Sequence, residues 1–406
     1  MTAVCSILLF LLSSTVYTQG VSSGQSQIIY RWKSLDYSWP NETTKQNSIT
    51  SKRFIVENNI ISGIKVLDEN VFVTVPRWKP GVPSTLNKVV TNPANLEENI
   101  LEPYPDWEMQ TLGECGAFQY VQSMEIDPNT GYMWIIDVGR VNTLTNKSQN
   151  LCPPKLVIYD IRNERLVHVH EFPDSVASWT SNFLNDIVLD YVNGVASFAY
   201  ITDSSDSKLI VYDHKRNTSY FFTHPSMEIE SGADTIVVGD NNLTTKVHIN
   251  GIAMNFDFRF VYYCALNAFS LYRVPTYVLR NESAVFIVEM LGRKNDVTGG
   301  MVATDKALYY GGLTTNAVDK WPFTEAGNEV TVISNESSLR WVDSLAMDTQ
   351  QSLWLVANSL DLFLAGRMNF TNTNMYIWKL PIGENGYLAS AKSRTDTALN
   401  GDMMIG

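Results

Sequence analysis

The sequence predicts an all-β chain folded as a six-bladed β-propeller. First, stretches rich in β-branched and aromatic residues recur as strand–turn–strand units, with starts near residues 60, 123, 187, 251, 300 and 344. Second, helical periodicity of useful length is almost absent. Third, the chain has 10 Trp, 19 Tyr and 17 Phe but only 18% charged residues, a composition that builds a core and excludes disorder. A small antiparallel sheet cannot bury both of its faces alone. Packing such sheets in a ring buries them and protects most strand edges.

Taken in order, Ala3–Leu12 is an apolar-leaning stretch followed by Ser13, Ser14 and Thr15. It reads as a secretory signal peptide over residues 1–20, with cleavage around Thr18–Gly20, although it has no Lys or Arg at its start. It is too short to span a bilayer, and no later stretch is long enough, so no membrane partner is expected. Residues 21–59 form an N-terminal segment expected to pack across the propeller or to close a blade. The six units follow over residues 60–390. They are Ile60–Leu67 with Val71–Val75; Ser123–Asp127 with Tyr132–Asp137 and Lys155–Asp160; Ile187–Asp190 with Ser197–Asp203 and Lys208–Asp213; Gly251–Met254 with Phe260–Leu266 and Ser270–Val274; Gly300–Thr304 with Ala307–Gly311 and Ala317–Trp321; and Ser344–Asp348 with Ser352–Ala357 and Met375–Leu380. A seventh unit has room at 90–120, though no clear strand pair stands there. Residues 391–406 are a tail. Asp recurs at strand ends, where it commonly starts a turn.

The balance of 30 Lys and Arg against 42 Asp and Glu gives a net charge of −12, with no basic cluster, so no nucleic-acid partner is expected. No CxxC, Cys/His or HExxH spacing appears, so no metal is expected. No glycine-rich phosphate loop precedes a helix, and no cofactor is expected. The nucleophile elbow of α/β-hydrolases is absent. His168 and His170 alternate on one face of a strand, which suits a solvated outer strand better than a metal pair. Seven glycosylation sequons, at Asn41, Asn146, Asn217, Asn242, Asn281, Asn335 and Asn369, agree with secretion. Cys5 leaves with the signal. Cys115 and Cys152 flank one strand pair and are expected to bridge, while Cys264 sits in the apolar run Phe258–Leu266 as a buried thiol.

Several strings resemble the yellow/major royal jelly protein family of secreted proteins. They are Trp32–Pro40 (WKSLDYSWP), Val71–Leu86 (VFVTVPRWKPGVPSTL), Leu101–Trp107 (LEPYPDW), Ile126–Gly139 (IDPNTGYMWIIDVG), Cys152–Asp160 (CPPKLVIYD), Phe198–Asp203 (FAYITD), Leu209–Asp213 (LIVYD) and Leu353–Asn358 (LWLVAN). They run in the family's order through essentially the whole mature chain. The resemblance implies a six-bladed propeller, in agreement with the independent repeat count. Two family cysteines are missing, at Pro128-Asn129-Thr130 and in Asp319-Lys320-Trp321. That supports pairing Cys115 with Cys152 and implies that a second bridge is lost. Within one of the shared strings, Pro76-Arg77-Trp78 could stack cation on ring or serve a purely structural role.

In amine-binding salivary members that this chain resembles, an Asn, an aromatic two residues on and a Thr of the preceding strand line the ligand pocket. Asn358 matches the first, Leu360 replaces the aromatic, and Asp343 stands about where the Thr would be. With Asp137, Asp186 and Asp203 at other strand ends, the candidate ligand site is Asn358, Asp343, Asp137, Asp186 and Asp203. At least three of these are expected to converge on a negatively charged mouth. Two function classes remain: binding of a small amine or aromatic ligand without turnover, or pigment chemistry of the dopachrome-conversion type, which some family members are credited with and which needs a base.

Overall fold

The computed structural model describes residues 25–95, 98–324 and 329–391; the expected signal peptide and nearly all of the expected tail lie outside them. Six four-stranded antiparallel sheets are present. Blade one is Ile64–Leu67, Asn70–Thr74, Leu86–Thr91 and Asn99–Pro103. Blade two is Val121–Asp127, Tyr132–Asp137, Lys155–Asp160 and Arg165–Glu171. Blade three is Leu184–Val192, Val195–Asp203, Lys208–Asp213 and Thr218–Phe222. Blade four is Ile249–Met254, Phe260–Ala265, Ser270–Pro275 and Glu289–Arg293. Blade five is Met301–Ala303, Ala307–Gly312, Ala317–Pro322 and Val330–Ser334. Blade six takes Trp341–Met347, Ser352–Asn358 and Met375–Pro381 from the end of the chain, and Gln27–Trp32 from its beginning.

The first strand of each blade touches the first strand of the next, and that of blade six touches that of blade one, so the ring is closed. Among the described residues there is no seventh unit at 90–120. Leu86–Thr91 and Asn99–Pro103 are the outer strands of blade one, and their sparse, polar sequences reflect a place at the rim. The inner strands show the opposite pattern: every residue of Val121–Asp127 and of Ile249–Met254 is buried, because both faces and both neighbours are protein.

The N-terminal segment makes the closing contact. Gln27–Trp32 pairs antiparallel with Met375–Lys379. Trp32 is buried and donates from Nε1 to the Asn99 carbonyl at 2.8 Å, tying blade six to blade one. The chain then runs along blade one, where the N–H of Ser38 donates to Leu101 O and that of Leu101 to Asp36 O. A polar helix, Glu42–Thr50, follows, capped by Asn41 Oδ1 accepting from Thr44 N.

Cys115 and Cys152 are bonded, with Cα atoms 5.4 Å apart, and Cys264 is free and buried, as expected. Gly139 beside this bridge has φ +72°, and a Cβ there would stand 2.2 Å from the Cys152 carbonyl oxygen, so only glycine fits. Among the described residues no helix is long and apolar enough to cross a membrane. All seven sequon asparagines are exposed.

Candidate functional site

The channel is lined by the residues that open each inner strand. Ser62-Gly63, Gln122-Ser123, Asn185-Asp186, Asn250, Gly299-Gly300 and Asp343-Ser344, one set per blade, surround a cavity of about 20 Å3. In four blades the strand register breaks at this level: between Val121 and Ser123, Leu184 and Ile187, Ile249 and Ile252, and Val342 and Ser344. A bulge turns an extra side chain out of the ladder. These bulges are how strands otherwise buried in the blade stack present polar groups to the lumen. Gly300 is required for the spacing, because a Cβ there would approach the Asp343 carbonyl oxygen to 2.5 Å.

Asp343 and Asp186 both face this lumen. Each is enclosed by protein yet keeps a partly accessible edge toward the channel space. Burial pushes each carboxyl up to about 6. Hydrogen bonds from Ser62 and Asn358 oppose the rise at Asp343, and the Asp186 charge adds to it. At Asp186 the opposing groups are Lys65, the Ile187 N–H and Ser123, whose Oγ donates at 2.9 Å. Asn358 sits one bond behind the lumen. Its Nδ2 donates to Asp343 Oδ2 at 3.0 Å and to Ile61 O at 2.8 Å, and its Oδ1 accepts from Leu360 N. A chain of hydrogen bonds continues outward: Gln122 Nε2 donates to Ser62 Oγ, Tyr120 OH to Gln122 Oε1 and Trp78 Nε1 to Tyr120 OH.

Three of the five residues singled out in the sequence therefore come together, and two do not. Asp137 accepts from the N–H groups of Gln119, Tyr120 and Gly139. Asp203 accepts from those of Phe183, Ser205 and Asp206. They occupy the same position, the end of the second strand, in blades two and three, and both are fully buried. A carboxylate there caps the loops of its own blade, and neither residue lines the cavity between the inner strands. Arg77 fits the structural reading of its string. Its guanidinium donates to the carbonyls of Val82, Phe118, Gln119, Pro83 and Gln110 and is buried doing so.

His168 and His170 do lie on an outermost strand, where both bond Asn217 Oδ1 of the next blade. No cluster of three or more His, Cys, Asp or Glu able to hold a metal occurs among the described residues. Sequence reasoning missed Ser62, Gln122, Asn185, Asn250 and Ser344. Their signal was present as a polar or glycine pair just ahead of each inner apolar run.

Three larger spaces lie away from this ring, one of them, of about 600 Å3, between blades three and four beside Tyr191, Phe258 and Arg280. Another of about 310 Å3, on the opposite side of the ring, is lined by Lys65, Glu125, Met347 and Tyr387. A surface groove of about 660 Å3 on blades one and two is lined by Trp39, Lys52, Lys79 and Trp107.

A model of the major royal jelly proteins matches residues 120–385. Dopaminechrome tautomerase of Drosophila melanogaster is 26% identical over 420 residues, covering 94% of this chain and 89% of its own. Protein yellow of the same species is 25% identical over 392 residues, covering 91% and 71%. A solved luciferin-regenerating enzyme overlaps with a TM-score of 0.48 at 10% identity, over 80% of this chain and 93% of that one. With the family's model spanning blades two to six, the chain belongs to the yellow/major royal jelly protein family.

Proposed function

We propose that this is a secreted propeller that moves a proton on a small quinoid molecule derived from an aromatic amine, with Asp343 as the acid–base group. The observation that carries this reading is the lumen-facing carboxyl of Asp343, pushed up to about 6 and held by Asn358. A tautomerisation removes a proton from one atom and returns one to another, so its catalyst must be a competent base and then a competent acid. A carboxyl near 6 is mostly ionised at neutral pH and, once protonated, still gives the proton up readily. Asp186 supplies a second such group in the same ring. The kinship with a dopaminechrome tautomerase supports the substrate class. Secretion is supported by the apolar stretch Ala3–Leu12, the disulfide and the exposed sequons, which we expect to carry glycans. The test is the loss of dopaminechrome with purified protein against its spontaneous decay. Acceleration that falls by roughly 10²–10⁴-fold in Asp343→Asn is the expected result. No acceleration by the native protein refutes the reading.

Amine binding without turnover is the second reading, favoured by two carboxyls on one lumen. Calorimetry with serotonin and dopamine tests it. Asp343→Ala should weaken a cationic amine more than its neutral analogue, and with Leu360 in place of a ring the affinity should lack a cation–π contribution of roughly 0.5–2 kcal/mol.

A further inference from the structure

The lumen at Asp343 holds about 20 Å3, whereas a cavity that accepts a single benzene measures roughly 150 Å3. Something must move before an aromatic molecule reaches it. On the side of the 310 Å3 space the channel is stopped by Tyr387. This residue is buried, donates to Glu125 Oε2 at 2.8 Å and accepts from Leu189 N at 3.2 Å, both in inner strands.

The opposite side, onto which the inner strands open, carries a different closure. Between blades three and four the chain forms a two-stranded hairpin, Thr235–Val238 with Asn241–Thr244. Its root is fixed to blade four, where Glu230 N donates to Asn267 O, Asn267 Nδ2 to Ala233 O and Thr245 Oγ1 to Asn267 Oδ1. Its tip reaches blade six. Asn241 Nδ2 donates to Asp361 Oδ2, and Arg340 Nη2 donates to Val238 O at 3.3 Å. Arg340 also holds Asp361 in a two-pronged ion pair at 2.7 and 2.8 Å. Arg340 directly precedes the inner strand of blade six, and Asp361 lies in the short helix Leu360–Leu364 that follows Asn358. Ile236 and Val238 are buried beneath the hairpin, while Val237 and Asn242 face outward. The root is thus held by several bonds to its own blade, and the polar grip of the tip gathers on one carboxylate and one guanidinium of a distant blade.

We propose that the hairpin Thr235–Thr244 is a lid that releases from Arg340 and Asp361 to admit ligand to the channel. This rests on the reading of the channel as the functional site. The test does not use that activity. Ser344 faces the lumen and is partly accessible there. In Ser344→Cys the new thiol reports access through its rate of labelling by N-ethylmaleimide, with native Cys264 buried, Cys115 and Cys152 bridged, and the protein produced without residues 1–20 so that Cys5 is absent. Labelling should quicken roughly fivefold or more when Asn241→Ala or Arg340→Gln is added, since loss of one anchoring bond shifts the open population by about that factor. Tyr387→Phe should leave the rate unchanged. Equal rates with and without the lid variants overturn the proposal, as does acceleration by Tyr387→Phe alone. Hydrogen exchange of the native protein gives a second measurement. The hairpin amides should open together and well before those of the inner strands, and protection equal to the inner strands refutes the lid. If labelling follows the lid variants while dopaminechrome decays no faster than spontaneously, the lid stands and the tautomerase reading falls.

Discussion

Asp343→Asn should make the protein more stable at neutral pH and remove its proposed activity. An unperturbed aspartate titrates at 3.8, and Asp343 is pushed up to about 6 in the folded protein. Between those values the folded state binds the proton more tightly than the unfolded chain, so the group's favourable contribution is complete below 3.8. It is lost as pH rises through about 6. Above that, the folded protein carries a charge that burial disfavours. The difference between 3.8 and about 6, at about 1.4 kcal/mol per pH unit, corresponds to about 3 kcal/mol as an upper bound. Asparagine occupies the same volume, carries no charge and can still accept from Asn358 Nδ2 through Oδ1. The Asp186 charge adds to the rise at Asp343, a smaller contribution than burial. Urea denaturation of both proteins at pH 7.5 and pH 4.5 measures this. The variant should gain about 1–3 kcal/mol at pH 7.5 and close on the parent at pH 4.5. A variant less stable than the parent at pH 7.5, or a stability difference flat across that range, refutes the argument that burial holds this carboxyl up.

Replacing both Cys115 and Cys152 by Ser should cost about 3–4 kcal/mol, the closure entropy of their 37-residue separation, read as a lower urea midpoint. Trp32→Ala should cost about 3–5 kcal/mol, since a buried indole and its bond to Asn99 O are lost at the seam between blades one and six, and a melting temperature unchanged within error would contradict the closure. Gly300→Ala should lower the melting temperature and activity together, because its Cβ meets the Asp343 carbonyl oxygen at 2.5 Å; unchanged activity would show that the channel tolerates displacement there.

The blades were legible because each inner strand is a run of apolar residues bounded by turns, and the start of each unit falls within a few residues of the observed strand. The outer strands were not. Asn99–Pro103 and Glu289–Arg293 carry little hydrophobic signal because each forms the outer edge of its blade. Asp343, Asp186 and Asn358 were found at strand ends, but so were Asp137 and Asp203, and sequence alone could not separate them. All five are acids or amides beside turns; what divides them is whether a bulge aims the side chain into the lumen or loop N–H groups claim it. The lid hairpin passed unnoticed although Ile236-Val237-Val238-Gly239-Asp240 is a β-branched run ending in turn residues. It belongs to no blade, so a search for repeats steps over it.

The closing strand Gln27–Trp32 fixes when the molecule can become whole. Trp32 pairs with Met375 and Gln27 with Lys379, partners separated by nearly the full described chain. Emerging from the ribosome, blades one to five have all their strands before the sixth can be completed, and the first strand must wait unpaired with an open edge for the last. Such a distant pairing makes ring closure a late and slow step. It also brings Gln27 beside Lys379 in space, so the ends of the ring are neighbours. A linker long enough to join residue 391 to residue 25, with new ends opened at the turn Asn193-Gly194 between the first two strands of blade three, should give a circular permutant in which blade six folds from consecutive chain and blade three becomes the one that waits.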